Sequence, residues 1–187
     1  IQLVDLTVNG QIQAENILSN DLAFNGNIAI TPFNLRKLAN DLKIELPEMA
    51  DPDTLKQVQL STEISGSKNA VTARNLQLTL DQSQLTGQAG ISNFAKPGYT
   101  FDLSLDQIDA DRYLPPAKET TEQTAKAPAT TANAAANSAP AEELPLAALR
   151  EINAKGSFKI GKLKVSGITS ENIVITIDAK DGLVKLA

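Results

Sequence analysis

The sequence predicts a mainly β protein, an antiparallel sheet of repeating hairpins with one apolar and one polar face and a few short helices. Two observations predict it. Asn75 to Asp81 (NLQLTLD) puts Leu76, Leu78 and Leu80 on one side of an extended strand and Gln77, Thr79 and Asp81 on the other. That is the period-two alternation of a half-buried strand. The same pattern returns as Asn172 to Asp178 (NIVITID), with Ile173, Ile175 and Ile177 in the leucine places and no gap from Val71/Ile168 through Asp81/Asp178. A third, weaker copy matches Ile12, Ala14, Asn16 and Ile17 to Val71, Ala73, Asn75 and Leu76.

In chain order, Leu3 to Val8 leads into Asn9-Gly10, and Leu22-Ala23-Phe24 leads into Asn25-Gly26. Asn-Gly suits the two central positions of a type I′ turn, where both residues need positive φ, so each pair is expected to close a hairpin. At Thr31 the period becomes helical. Thr31 is the expected N-cap, Pro32 suits the first turn, and Phe33, Leu35, Leu38, Ala39 and Leu42 recur at helical spacing, giving a helix near 32–42. A second short helix is expected near 52–57, capped by Asp51, with Pro52 in its first turn. The two helices are expected to cover an end or the open side of the sheet.

Strands resume with Val58, Leu60, Thr62 and Ile64 in phase, and Ser65 to Ala70 reads as a turn. Val71 and Ala73 are out of phase with Leu76, so the apolar face slips by one residue near Arg74-Asn75. Ile168 and Ile173 slip the same way near Glu171-Asn172. Such a slip turns every later side chain over, so a bulge or bend is expected at both places. The chain turns back after Asp81 to Gln84 with Leu85, Gly87, Ala89 and Ile91 in phase, and turns again at Lys96-Pro97-Gly98. Tyr99, Phe101, Leu103 and Leu105 then give the cleanest alternation.

From Pro115 to Glu143 there is no Leu, Ile, Val or aromatic residue, so residues 115–143 are expected to form a disordered Ala/Thr/Pro-rich linker or insertion. A short helix at Leu146 to Ile152 follows. The strand pattern then restarts at Phe158 to Ile160, Leu163 to Val165, Ile168 onward and Leu183 to Leu186, with Asp181-Gly182 as a hairpin turn. The organisation is a β segment over 1–114 with helices near 32–42 and 52–57, the linker, and a helix plus more sheet over 144–187. We expect the chain to be a piece of a longer polypeptide.

With a net charge of −5 and aromatics at 4%, the 187 residues lack the basic, aromatic-laced stripe of a nucleic-acid binder. Cysteine is absent, which excludes disulfides and thiolate metal sites, and histidine is absent, which removes the commonest general base and metal ligand. No apolar run approaches the roughly 18 residues that a membrane span needs. Any membrane anchor is expected outside this stretch.

Asp102, Asp106, Asp109 and Asp111 are the densest carboxylates. They read as a divalent-cation site or an acid/base pair, but they lack the spacing, central glycine and terminal glutamate of a calcium loop. The better reading puts Asp102 and Asp106 on the wet face of a strand, with Asp109 or Asp111 capping the turn before Arg112-Tyr113. Lys159, Lys162 and Lys164 read either as contacts for anionic head groups or, preferably, as lysines protecting a solvated edge strand. No nucleophile–base pair or phosphate loop is present, so neither catalysis nor a cofactor is expected.

Three consecutive strands place their aliphatic residues on one face, and each such side chain contributes about 1.5–3 kcal/mol when buried. Something must cover that face: a second sheet, the sheet's own curl, or a ligand.

The succession PFNLRKLA, ADPDTL, NLQLTLDQSQLTG, FDLSLDQIDADRYLP, then LPLAALREINAKGSFKIGKLKVSG and NIVITIDAKDGLVKL resembles the AsmA family of bacterial envelope proteins, from about Ile30 to the end. The resemblance implies an inner-membrane-anchored protein with its bulk in the periplasm. It also implies a long curled antiparallel sheet forming a taco-like groove, and a role in outer-membrane biogenesis and phospholipid traffic. On that implication, Leu76, Leu78, Leu80, Leu85, Phe101, Leu103, Leu105, Ile173, Ile175 and Ile177 would line a groove that takes phospholipid or another acyl-chain lipid. The alternative is an assembly module that fills this face with its own side chains and contacts envelope proteins.

Overall fold

The computed structural model describes residues 2–3, 6–116, 153–180 and 183–186. Their strands are β1 (Gln2–Leu3), β2 (Leu6–Glu15), β3 (Ala23–Phe33), β4 (Val58–Ser67), β5 (Ala70–Leu80), β6 (Ser83–Ser92), β7 (Gly98–Asp109), β8 (Asn153–Val165), β9 (Ile168–Lys180) and β10 (Leu183–Leu186). They form one ten-stranded sheet in sequence order, curled but not closed into a barrel. A helix, α1 (Leu35–Asp41), follows β3, and a 3₁₀ turn (Ala110–Arg112) ends β7.

One pairing departs from the expected antiparallel sheet. β7 and β8 run parallel, with Tyr99 opposite Ala154 and Leu105 opposite Ile160. β7 ends at one margin of the sheet, whereas β8 starts level with Gly98 at the other. A parallel pair needs a crossover of a dozen or more residues, and residues 113–152 supply the length. The strands before and after the Ala/Thr/Pro-rich segment therefore share one sheet. That segment beyond Pro116, the helix expected at Leu146 to Ile152, and Asp181-Gly182 lie outside the described residues. Beside the last of these, Leu183 pairs with Lys180.

Neither Asn-Gly pair closes a hairpin. β2 and β3 run straight through them, with Gly10 opposite Ile28 and Gly26 opposite Ile12. A Cβ at Gly10 would come within 2.7 Å of the Asn27 carbonyl oxygen, and one at Gly26 would overlap that of Gln11. These glycines serve a close approach of two backbones rather than a turn. The chain reverses after Asn16, whose φ is 54° and whose carbonyl accepts from the Ser19 N–H at 2.9 Å. The β4–β5 turn is also tighter than Ser65 to Ala70, because Ser67 already pairs with Ala70.

The helix starts later than its period suggests. Asn34, not Thr31, is the N-cap and accepts from the Lys37 N–H at 2.8 Å. Thr31, Pro32 and Phe33 extend β3, where the register with β4 shifts between Ile30 and Phe33. Such an irregularity tolerates a proline that cannot donate to the ladder. Residues 52–57 form turns rather than a helix. Asp51 holds the first turn by accepting from the Asp53 N–H at 2.7 Å, and Leu55, with φ at 63°, leaves the helical region.

The slip at Arg74-Asn75 is a bulge. β5 carries one extra residue against both neighbours, between Ala73 and Leu76 facing β6 and between Arg74 and Gln77 facing β4. Asn75 takes up the left-handed conformation (φ 50°), and the Thr62 hydroxyl donates to the freed Arg74 carbonyl at 2.9 Å. Asn172, its repeat mate, has φ 55°. The third copy's Asn16 shares the conformation, so all three aligned asparagines are left-handed. In β9 the register with β8 is unbroken, and Asn172 falls level with Gly161. A Cβ on Gly161 would overlap the Asp106 carbonyl oxygen of β7, so the backbones of β7 and β8 approach closely at that level.

Candidate functional site

The cross-strand register turns the alternation of separate strands into rows. Val8, Ile30, Leu60, Leu78, Leu85, Leu105, Ile160 and Ile173 are successive partners across eight strands, forming an unbroken aliphatic rung. The next rung runs Leu76, Gly87, Leu103, Phe158, Ile175, and the one after it Ala73, Ala89, Phe101, Gly156, Ile177. Leu80, opposite Val58 and Ser83, stands at the margin. All ten residues singled out from the sequence therefore share one face. Phe158, Ile160, Leu60 and Ile30 extend it, a continuity that only register reveals.

Most of this face is not closely packed, although Ile160 and Ala179 on it are buried. Nine of the ten residues are half-buried and Ile175 is 37% exposed. Val71, Ala73, Ala89, Ile91, Tyr99, Phe101 and Leu103 line an apolar depression of about 410 Å³ on it. The opposite face carries Gln77 and Thr79 on β5, Thr86 and Gln88 on β6, and Asp102 and Ser104 on β7.

The dry part of the molecule is at the sheet's margin. Seven described residues are buried, and five of them (Ala39, Thr54, Leu55, Asp81 and Ser83) belong to α1, the 52–57 turns, the β5–β6 turn and the start of β6. Asp81, expected on the wet face, is the hub. Its Oδ2 accepts from the Leu55 N–H and the Tyr113 hydroxyl, both at 2.8 Å, and its Oδ1 from the N–H groups of Lys56 and Gln57 at 3.0 and 3.1 Å. Asp51 pairs with Arg112 at 2.7 Å. Thr54, fully buried, accepts from Arg36 at 3.0 Å and donates to the Asp51 carbonyl at 2.8 Å. The Leu55 carbonyl accepts the first N–H of α1 at 2.9 Å.

This knot ties the ADPDTL, LTLD and DRYLP stretches together. Burial pushes the Asp81 carboxyl up, but its hydrogen bonds from Tyr113, Leu55, Gln57 and Lys56 outweigh that and hold it below the ordinary value. Burial and then Asp81 raise Tyr113 to about 12. The Asp53 N–H and Arg112 hold Asp51 low.

The four aspartates of β7 and its turn do not converge. The Ser157 hydroxyl donates to Asp102 at 2.6 Å, Asp106 accepts from the Gln84 N–H at 2.7 Å, and Asp109 pairs with Lys164 at 2.8 Å. Asp111 caps the β8–β9 turn through the N–H groups of Ser166 and Gly167, and Asp109 stands at the N-cap of the 3₁₀ turn but makes no capping side-chain hydrogen bond there. Among the described residues no group of three acidic side chains is placed to hold a metal. The edge-strand reading of Lys159, Lys162 and Lys164 is overturned, because β8 lies between β7 and β9.

No helix among the described residues is long and apolar enough to cross a membrane. The model of the AsmA family matches residues 5–187. No curated protein and no solved structure matches the chain.

Proposed function

The chain belongs to the AsmA family, which is associated with the bacterial envelope, and on that premise we propose that it binds phospholipid acyl chains along its open apolar face. It acts without catalysis, as the periplasmic part of a protein tethered to the inner membrane, and serves lipid traffic in outer-membrane biogenesis. The observation that supports this is the eight-strand rung, seven of whose eight residues stay half-buried with Ile160 the exception, while five of the seven buried described residues sit apart in the marginal knot. A face filled by its own side chains would concentrate burial on Leu78, Leu85 and Leu105, and burial is not found there. Each CH₂ of a lipid chain laid on the face contributes about 0.8 kcal/mol, and aliphatic contacts of mixed sequence discriminate poorly among chains.

Native mass spectrometry of the purified chain, with extraction of what it carries from a bacterial host, tests the reading. Phospholipid should co-purify and should be lost in Leu78→Asp and Phe101→Asp while circular dichroism stays β-like. An apo mass that takes up no added lipid would transfer support to the assembly-module alternative.

A further inference from the structure

Beyond the aliphatic rung, at the margin beside the knot, lies a hollow of about 290 Å³. Its walls include Gln82, Ser83, Gln107, Arg112, Lys162 and Lys164. It abuts the apolar face, since Ser83 lies on the same side of β6 as Leu85 by period two, and the apolar Ile108 also lines it. Two of its three cations are engaged, Lys164 with Asp109 and Arg112 with Asp51. The surrounding carboxylates are engaged as well: Asp81 by three N–H groups and Tyr113, and Asp111 by the β8–β9 turn. Lys162 alone has no acceptor among the described residues. β8 is an interior strand, so edge protection does not explain it. Asp109 also leaves an oxygen, Oδ1, buried with no donor.

We propose that this hollow is a subsite for the anionic glycerophosphate headgroup of a phospholipid whose chains lie on the neighbouring apolar face. The phosphate meets the Lys162 ammonium. The proposal rests on the lipid-binding reading and adds a headgroup preference that the aliphatic face cannot supply.

The test exposes the full chain to vesicles of phosphatidylglycerol and phosphatidylethanolamine in equal amounts and weighs the captured lipids by extraction and mass spectrometry. Wild type should capture about threefold more phosphatidylglycerol, the scale of one solvent-exposed ion pair. Lys162→Gln should bring the ratio to about one and Lys162→Glu should invert it, with total captured lipid unchanged. Lys159→Gln, on the same strand but away from the hollow, should leave the ratio as in wild type. Equal capture in every variant, or enrichment of phosphatidylethanolamine, overturns the subsite while leaving lipid binding intact. If no lipid is captured, the lipid reading fails, and a glycerol-3-phosphate titration followed by NMR at Lys162 decides the anion site. A saturable shift there, absent in Lys162→Gln, keeps the site, and no shift removes it.

Discussion

Asp81→Asn is the substitution that bears most directly on what holds this fold together. It preserves shape but turns one carboxylate oxygen into an NH₂ facing donors. Each oxygen now accepts two hydrogen bonds, Oδ2 from Leu55 and Tyr113 and Oδ1 from Lys56 and Gln57. Whichever atom becomes nitrogen, two donors lose their acceptor and the other two lose their charged one. Hydrogen bonds to charged groups contribute about 1.5–3 kcal/mol each. After allowance for water reaching the part-exposed partners, the substitution should cost about 2–4 kcal/mol. That is a large share of the 5–15 kcal/mol typical of a domain, and it should lower the urea midpoint by roughly 1–2 M. The assay is urea unfolding followed by far-UV circular dichroism, with hydrogen exchange at the amides of residues 55–57. An unchanged midpoint, with those amides as protected as before, would refute the hub. The same bonds set the pH window. The folded Asp81 titrates below its ordinary value, so its contribution is complete above about pH 4 and is lost as pH falls through the lowered value. Tyr113 titrates near 12 against an ordinary 10, so its contribution is present below pH 10 and fades as pH rises from 10 toward 12.

Other perturbations separate the face from the knot. Leu55→Ala, at a buried site, should cost about 2–5 kcal/mol, whereas Leu78→Ala on the half-buried rung should cost clearly less. Comparing their urea midpoints checks this. Asn75→Val forces a β-branched residue into φ 50° and should cost about 1–2 kcal/mol. Asn75→Gly should match wild type in the same titration. Gly161→Ala drives a Cβ into the Asp106 carbonyl oxygen and should cost about 1–3 kcal/mol. Ala at Gly90, where the nearest atom would lie at 3.1 Å, should cost less, as thermal melts of both variants will show.

Alternation made the strands legible because a half-buried strand repeats every two residues whatever its partner. It also located the bulge at Asn75, since an inserted residue breaks the phase of Val71 and Leu76. It was silent on direction, because Leu105 opposite Ile160 alternates alike in a parallel or an antiparallel ladder. Asn9-Gly10 and Asn25-Gly26 misled because glycine serves close backbone approach as well as positive φ, and only the facing strand decides which. The helical spacing from Phe33 counted the last residue of β3, which happens to fall in phase with α1. The knot was least legible. Asp81 looks like the last polar residue of an alternating strand, and its partners lie more than twenty residues away in sequence. One signal was present: Asp81 ends its strand at a reversal, whereas its repeat mate Asp178 lies within β9 and pairs with Lys155 at 3.4 Å.

The central claim is that one face of the sheet, and not the other, meets lipid. Leu103 and Ser104 are neighbours on β7 that point to opposite faces. A photo-reactive residue placed at each in turn, irradiated with tagged phospholipid, tests the claim most directly. Labelling at 103 with none at 104 is the expected result. Equal labelling at both, or none at 103 in a folded protein, would contradict it.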